Sequence, residues 1–296
     1  MRALQSSLGC AEIDAQTLIR ELLMGSLGAL WTATTGLQAQ SAAFENISGN
    51  VANAQTTAFK AINTAFSDLI YPPQVSDTVL WRSVLTNGQQ GSISYDPVST
   101  HMAIGGEGYF TVEAPSGVSA SGQPTFSTSE TTYTRRGDFD LKNGYLVNGA
   151  GYYLMGSQID PVTGAVGSMG PLQFDTSTAL PDLGVLQSLS VSSSGKLQGT
   201  YSKGQTVDVA SLSIASFAGQ GFMKQGSGGT FSPTPQSGPA LYVNSGTVVG
   251  SALEASNVDI ADQMTTMVQA QQAYSACTRV VTASNEMMLT MTSLTI

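Results

Sequence analysis

Charged side chains are scarce in this chain of 296 residues, because Asp, Glu, Lys and Arg together make up only 10% of it. An ordinary soluble domain carries roughly 25%. Only 11 residues are Lys or Arg, and the formal net charge is −9. Duplex binding requires clustered basic side chains to neutralise phosphates, so the composition argues against nucleic acid as a partner.

Groups that carry out catalysis or bind metal are also few. The single histidine, His101, has no Cys nearby and no acidic residue at the spacing of a triad or a metal site. Cys10 and Cys277 lie too far apart in sequence to indicate a disulfide framework or a paired metal motif. The sequence therefore predicts no enzyme and no cofactor, although a carboxylate pair assembled from distant segments stays open. The only basic pair, Arg135-Arg136, is interpreted as a solvated or subunit-facing strand end.

Long hydrophobic runs are missing as well. No stretch of 18 apolar residues occurs, which argues against membrane insertion. Residues 1–23 carry Glu12, Asp14, Arg20 and Glu21 where a signal peptide needs an apolar core. The pattern favours a cytoplasmic protein, or one exported by a route that cleaves nothing.

What the chain does have is helical periodicity at both ends, which predicts helices over roughly 26–53 and 260–294. Asn257 or Asp259 is positioned to cap the second helix. Small and polar residues fill about a third of each heptad seam, so the seams are weak. They fit either a hairpin packed on a domain or, in the sharper interpretation, helices that find partners in other copies of the chain. The N-terminal seam comprises Leu27, Leu30, Thr34, Leu37, Ser41, Phe44, Ser48 and Val51; the C-terminal seam comprises Ile260, Met267, Ala270, Tyr274, Cys277, Val281, Ser284, Met288 and Met291.

Between the helices, alternating segments are separated by turn signals such as Lys142-Asn143-Gly144 and Asn148-Gly149. They predict an α+β fold, in which two long terminal helices pair as a coiled coil and a mostly antiparallel β body is inserted between them. Two Gly-, Pro- and Ser-rich segments, 157–186 and 219–246, are expected to be loops.

Amide side chains cluster where the first helix ends. Asn46, Asn50 and Asn53 are spaced to share one helical face, and Gln55-Thr56-Thr57 follows them. Such neutral groups can bridge neighbouring copies without the desolvation cost of buried charge.

Four ordered motifs resemble the axial proteins of the bacterial flagellum, the rod, hook and hook-associated subunits. They are GLQAQSAAFENISGNVANAQTTAFK, MAIGGEGYFTV, YTRRGDFDLKNGYLVNGAGYYLMG and ALEASNVDIADQMTTMVQAQQAYSACTRVVTASNEMM. Ala58 stands where the family usually has Gly, in a turn that favours positive φ. The polar motif residues are Gln40, Asn46, Asn50, Asn53, Thr56, Thr57, Lys60, Asn257, Asp259 and Gln271.

The resemblance divides the chain into an extra segment 1–23, an N-terminal helix and linker over 24–70, a β-rich body over 71–246 and a C-terminal helix over 247–296. Translation is expected to begin at Met24. Within the family the sequence looks most like the hook protein, and the alternative is a distal rod subunit.

The resemblance also implies export by the flagellar apparatus without a cleaved signal peptide, and self-assembly into a hollow helical tube in the basal body or hook. Partners would be further copies of this chain, neighbouring rod and hook-associated proteins and the hook cap.

Overall fold

The computed structural model describes residues 2–68, 79–119, 123–126, 131–175, 179–242 and 247–294. The chain divides into two compact units. Unit 1 comprises Met1–Val51, Ile62–Val84 and Ile260–Ile296, and unit 2 comprises Ala52–Ala61 and Leu85–Asp259. In the part of the chain that the structure describes, no helix combines the length and apolar character needed to cross a membrane.

Unit 1 is built from two long helices and a two-stranded sheet. Its elements are α1 (Arg2–Ala52), β1 (Ile62–Asp68), β2 (Val79–Leu85) and α2 (Ile260–Leu294). Helix α2 has the predicted bounds. Helix α1 begins at Arg2 rather than near Ser26, because the segment contains no proline and its glycines cost only about 1 kcal/mol each, too little to end a helix.

The turn after α1 keeps the backbone geometry that the flagellar motif implies, although its glycine is missing. Ala58 has φ of 55° and is buried. An L-residue in the left-handed region costs about 1–2 kcal/mol. The surrounding hydrogen bonds, among them the one from Ala58 N to Glu254 O at 2.8 Å, hold it there.

Unit 2 is the β body, and the strand pairs within it are antiparallel. Its strands are β3 (Ile93–Tyr95), β4 (Met102–Gly105), β5 (Tyr109–Glu113), β6 (Gly117–Val118), β7 (Pro124–Thr125), β8 (Thr132–Thr134), β9 (Phe139–Lys142), β10 (Tyr145–Asn148), β11 (Tyr153–Ile159), β12 (Val166–Pro171), β13 (Leu186–Val191), β14 (Lys196–Tyr201), β15 (Thr206–Leu212), β16 (Ile214–Ser216), β17 (Lys224–Gln225), β18 (Thr230–Ser232), β19 (Leu241–Tyr242), β20 (Thr247–Gly250) and β21 (Ala252–Glu254). The main sheet runs β13-β14-β15-β11-β5-β8-β18-β17. An α+β fold with helices at both ends and a mostly antiparallel body is thus confirmed.

Two hydrophobic clusters form the core of unit 2. The larger one is centred on Phe110, Phe139 and Leu154, and the smaller one on Tyr109 and Phe231. Hairpin β9–β10 turns at Asn143 and Gly144, both with positive φ, as the sequence predicts.

The two segments expected to be loops contain regular structure. Strand β12 lies in 157–186, and strands β17, β18 and β19 lie in 219–246 with short 3-10 helices at Gln220–Phe222 and Ser227–Gly229. The prediction failed there because partners far away in sequence impose the pairing; Thr230, for example, lies opposite Thr134. Residues 176–178 and 243–246 of those segments lie outside the described residues.

The last strands before α2 complete the body. Strand β20 pairs with β4, where Val248 lies opposite Ile104, and β21 pairs with β3, where Leu253 lies opposite Ser94. The body is therefore closed by residues from the far end of the chain.

Candidate assembly surface

Helix α2 is shielded along one stripe only. Among its side chains that the structure describes, those that are not exposed recur every three or four residues, as one face of a helix requires. They are Gln263, Met267, Ala270, Ala273, Cys277, Val281, Ser284, Met288 and Met291. The predicted seam residues Ile260 and Tyr274 lie on the exposed side of α2. The shielded position next to Tyr274 is occupied by its small neighbour Ala273.

Helix α1 is buried about one position earlier than its leucine repeat. The buried side chains are Ser26, Ala33, Ala39, Ala43, Ile47 and Asn50, whereas Leu30, Thr34, Leu37, Phe44 and Val51 are half-buried and Leu27, Ser41 and Ser48 are exposed. Near its C-terminal end this helix also contacts β1 and β2. Asn46 Nδ2 donates to Thr64 Oγ1 at 2.8 Å and to Ser83 Oγ at 3.0 Å.

Within unit 1, α1 and α2 contact each other in an antiparallel sense. Asn50 Nδ2 donates to Gln263 Oε1 at 3.0 Å. At the other end, a Cβ added at Gly36 would lie 3.1 Å from Cys277 Sγ, so the glycine permits close approach there. Between these points, Ser41 and Phe44 line a groove with Gln271, Tyr274 and Ser275. Whether the two helices supercoil as a coiled coil stays a prediction.

Outside the shielded stripe, α2 presents large apolar side chains to solvent. A soluble helix normally places charged and polar residues there. The exposed apolar set of α2 is Ile260, Met264, Val268, Tyr274, Val280, Met287 and Leu289, and α1 adds Met24, Leu27 and Trp31. We call these ten residues the apolar helix surface.

The motif amides of α1 form hydrogen bonds inside the chain. Asn50 Oδ1 accepts from Ile62 N at 2.9 Å, and its Nδ2 donates to Ile62 O at 2.9 Å. Asn53 lies beyond the end of α1, where its Oδ1 accepts from Thr56 Oγ1 at 3.1 Å. These amides therefore organise the turn after α1, and bridging between copies stays a prediction.

Asn257 and Lys60 are structural residues of unit 2. Asn257 Oδ1 accepts from Ala61 N at 2.7 Å, and its Nδ2 donates to Thr86 Oγ1 at 2.9 Å. Lys60 Nζ donates to Gln89 O at 2.7 Å and to Glu254 Oε1 at 2.5 Å. Burial lowers the pKa of Lys60 below its usual range, although the bond to Glu254 opposes this effect.

The remaining motif residues are more open. Gln40 and Thr57 are half-buried, Asp259 is exposed, and Gln271 lines an exposed groove on α2.

The interpretation of Arg135 as a solvated strand end is wrong, because its side chain is buried. Its Nη2 donates to Gly106 O at 2.7 Å, its Nη1 lies 3.5 Å from Glu254 Oε2, and the guanidinium stacks over the Tyr109 ring. The pattern also missed Glu254, which is buried beside both cations. The available signal was an acid that directly follows the apolar residues Ala252 and Leu253 in the flagellar C-terminal motif.

No group of three or more His, Cys, Asp or Glu side chains suited to a metal ion occurs among the described residues. His101 lies between two carboxylates, with its Nδ1 2.9 Å from Asp96 Oδ1 and its Nε2 3.6 Å from Asp140 Oδ1. This arrangement ties a loop to β9.

Two family models match the chain and define its class as structural components of the flagellar axis. Residues 249–294 match the flagellar basal body rod FlgEFG protein C-terminal model, and residues 103–199 match the flagellar hook protein FlgE/F/G D1 domain model. The chain belongs to the flagellar axial family of rod and hook proteins, whose members assemble into the polymers of the basal body and hook.

Relatives come from both branches of the family. The flagellar hook protein FlgE of Brucella abortus is 36% identical over 149 residues, which is 48% of this chain and 34% of the relative. The flagellar basal-body rod protein FlgG of Bacillus subtilis is 26% identical over 291 residues, 88% of this chain and 97% of the relative. FlgG of Agrobacterium fabrum is 28% identical over 290 residues, 88% of this chain and 96% of the relative. The chain thus spans about a third of the length of the hook proteins that it matches.

Proposed function

We propose that this chain is the structural subunit of a flagellar hook, exported without cleavage and polymerised into a hollow tube that transmits torque. The assembly part of this proposal is supported by the apolar helix surface. Helices that are apolar beyond one stripe are stable in water only when neighbours cover them. Further copies of the chain are the neighbours that a family of helical polymers supplies.

In this proposal α1 and α2 pair as a coiled coil in the inner wall of the tube and dock against other copies there. Small residues such as Gly36 on α1 and Ala270 on the shielded stripe of α2 suit close packing, and each seam by itself is weak. Many weak contacts summed over a lattice give a strong polymer. The β bodies form the outer wall.

The hook assignment is supported by the higher identity to FlgE, 36% against 26–28% to FlgG, although over a shorter span. A hook must bend while it rotates, so its outer bodies must slide past one another. Only 10% of the residues of this chain are charged, so few side chains are available for ion pairs on its surface. A surface with few ion pairs exchanges its contacts easily, which suits such sliding.

A distal rod subunit is the second candidate, and the length of the chain favours it. The alignments to FlgG relatives cover nearly the whole of both chains. Hook proteins typically insert a further β domain after the strand that contains Gly156, whereas here β11 turns at 160–164 directly into β12.

Immunogold labelling of purified hook–basal bodies, with antibody raised against residues 105–215, separates these two functions. Gold along the curved hook is the expected result. Gold confined to the straight rod would assign the chain to the distal rod instead of the hook, and absence of gold from the whole structure would refute both functions. The matched control is a strain in which this gene is deleted.

A further inference from the structure

Two segments from opposite ends of the β body are joined by a compact set of hydrogen bonds. Residues 58–61 follow α1, and residues 254–257 precede α2; together we call them the terminal clasp. Its bonds run from Ala58 N to Glu254 O (2.8 Å), Asn257 N to Phe59 O (3.2 Å), Ala61 N to Asn257 Oδ1 (2.7 Å) and Lys60 Nζ to Glu254 Oε1 (2.5 Å). Lys60 and Glu254 are 194 residues apart in sequence.

The charged side chains of the clasp are deeply buried. Glu254 is 1% exposed, Lys60 is 0% exposed and Arg135 is 3% exposed. Glu254 is the carboxylate in ion-pair range of both cations among the described residues. Before Glu254 is in place, the folded body would bury Lys60 and Arg135 without this partner. An unpaired buried charge is far more destabilising than a missing ion pair on the surface.

The same C-terminal segment supplies packing as well as charge. Strand β21 pairs with β3, strand β20 pairs with β4, and Val248 on β20 is buried in the larger core cluster. A Cβ at Gly91 would lie 2.0 Å from Ala255 O, so the two backbones approach closely where Gly91 N donates to Glu254 Oε1. The clasp is therefore continuous with the core.

We propose that the terminal clasp is a folding gate: the β body becomes stable only when residues 254–257 have joined residues 58–61. A chain that must travel unfolded gains from such a gate, because nearly all of it must share one compartment before the body can fold. This biological meaning rests on the proposed export, whereas the gate itself is a property of the isolated protein.

Native-state hydrogen exchange of the purified full-length chain tests the gate. Glu254→Gln keeps the shape of the side chain and removes its charge, and Glu107→Gln is the matched control on the exposed surface of the same unit. We expect Glu254→Gln to accelerate exchange about 100-fold or more in β5 and β11, deep in the body, by the same factor as in β21. Glu107→Gln should leave all three strands unchanged.

Acceleration confined to β21, β3 and residues 58–61 would overturn the gate, because the clasp would then be a local contact. Equal exchange in Glu254→Gln and Glu107→Gln would overturn it as well. If Glu254→Gln does not fold, Asn257→Ala provides the milder test, since it removes hydrogen bonds from the clasp and no buried charge. It should accelerate exchange about tenfold in β5 and β11 together, and unchanged exchange there would refute the proposal. Gold labelling does not enter this test, so the gate and the proposed function can fail separately.

Discussion

Replacing Met264 on the apolar helix surface by glutamate should block assembly and leave the isolated subunit folded. Met264 is 43% exposed, and no Lys or Arg occurs between residues 250 and 278 to pair with a new carboxylate. Fully burying a methionine contributes about 1.5–3 kcal/mol, so covering its exposed part in the polymer contributes about 1 kcal/mol. Burying an unpaired carboxylate there costs several kcal/mol more.

The combined loss of about 3 kcal/mol or more corresponds to a rise of about 100-fold or more in the critical concentration for polymerisation, since each 1.4 kcal/mol is a factor of ten. Met264→Gln has nearly the same shape without the charge and should raise that concentration only about tenfold or less. Sedimentation of purified subunits over a concentration series measures both variants. The free energy of unfolding of each monomer should stay within about 0.5 kcal/mol of the unaltered protein. An unchanged critical concentration for Met264→Glu, with normal monomer stability, would refute the assembly role of this surface.

Three further predictions concern the body and the helices. Gly137→Ala should lower the free energy of unfolding of the body by about 3 kcal/mol or more, because the new Cβ would lie 1.5 Å from Met102 O and strand β4 would have to move. Denaturant unfolding measures this loss. A loss under about 1 kcal/mol would contradict the close packing of Gly137 against Met102. Burial raises the pKa of Tyr109 to about 12, so the unfolded chain releases this proton from about pH 10 while the folded chain keeps it, and stability should fall by up to about 3 kcal/mol between pH 10 and pH 12. Tyr109→Phe should flatten that slope in unfolding experiments at each pH, and an equally steep slope in the variant would assign the loss to other groups. Both tryptophans, Trp31 and Trp81, are exposed at 65% and 45%. Assembly should bury at least Trp31 and shift the tryptophan fluorescence emission to shorter wavelength, and Trp31→Phe should abolish part of that shift. Identical fluorescence spectra of subunit and polymer would exclude Trp31 from the interface.

Local sequence signals predicted the elements whose geometry depends on near neighbours. Helix α2 follows from a three- and four-residue recurrence, and hairpin β9–β10 follows from Asn143-Gly144, because positive φ is accessible to few residue types. The flagellar motifs, read in order, were enough for the family. The start of α1 was missed because the seam pattern, and not the absence of helix breakers, was used to place it.

Tertiary structure decided which side of each element is buried and what the polar residues do. Near its C-terminal end α1 bonds to β1 and β2 through Asn46, and no recurrence within the helix contains that information. Whether Lys60, Arg135 and Glu254 become one buried cluster depends on a chain closure that spans nearly 200 residues. A charged residue is predicted to be exposed as long as its partner is unknown, because only a partner offsets the desolvation cost of burying it. The sequence by itself therefore determined the periodic helices, the turns and the family, whereas the fold alone determined the buried charges, the short strands at the sheet margins and the surface left for other copies.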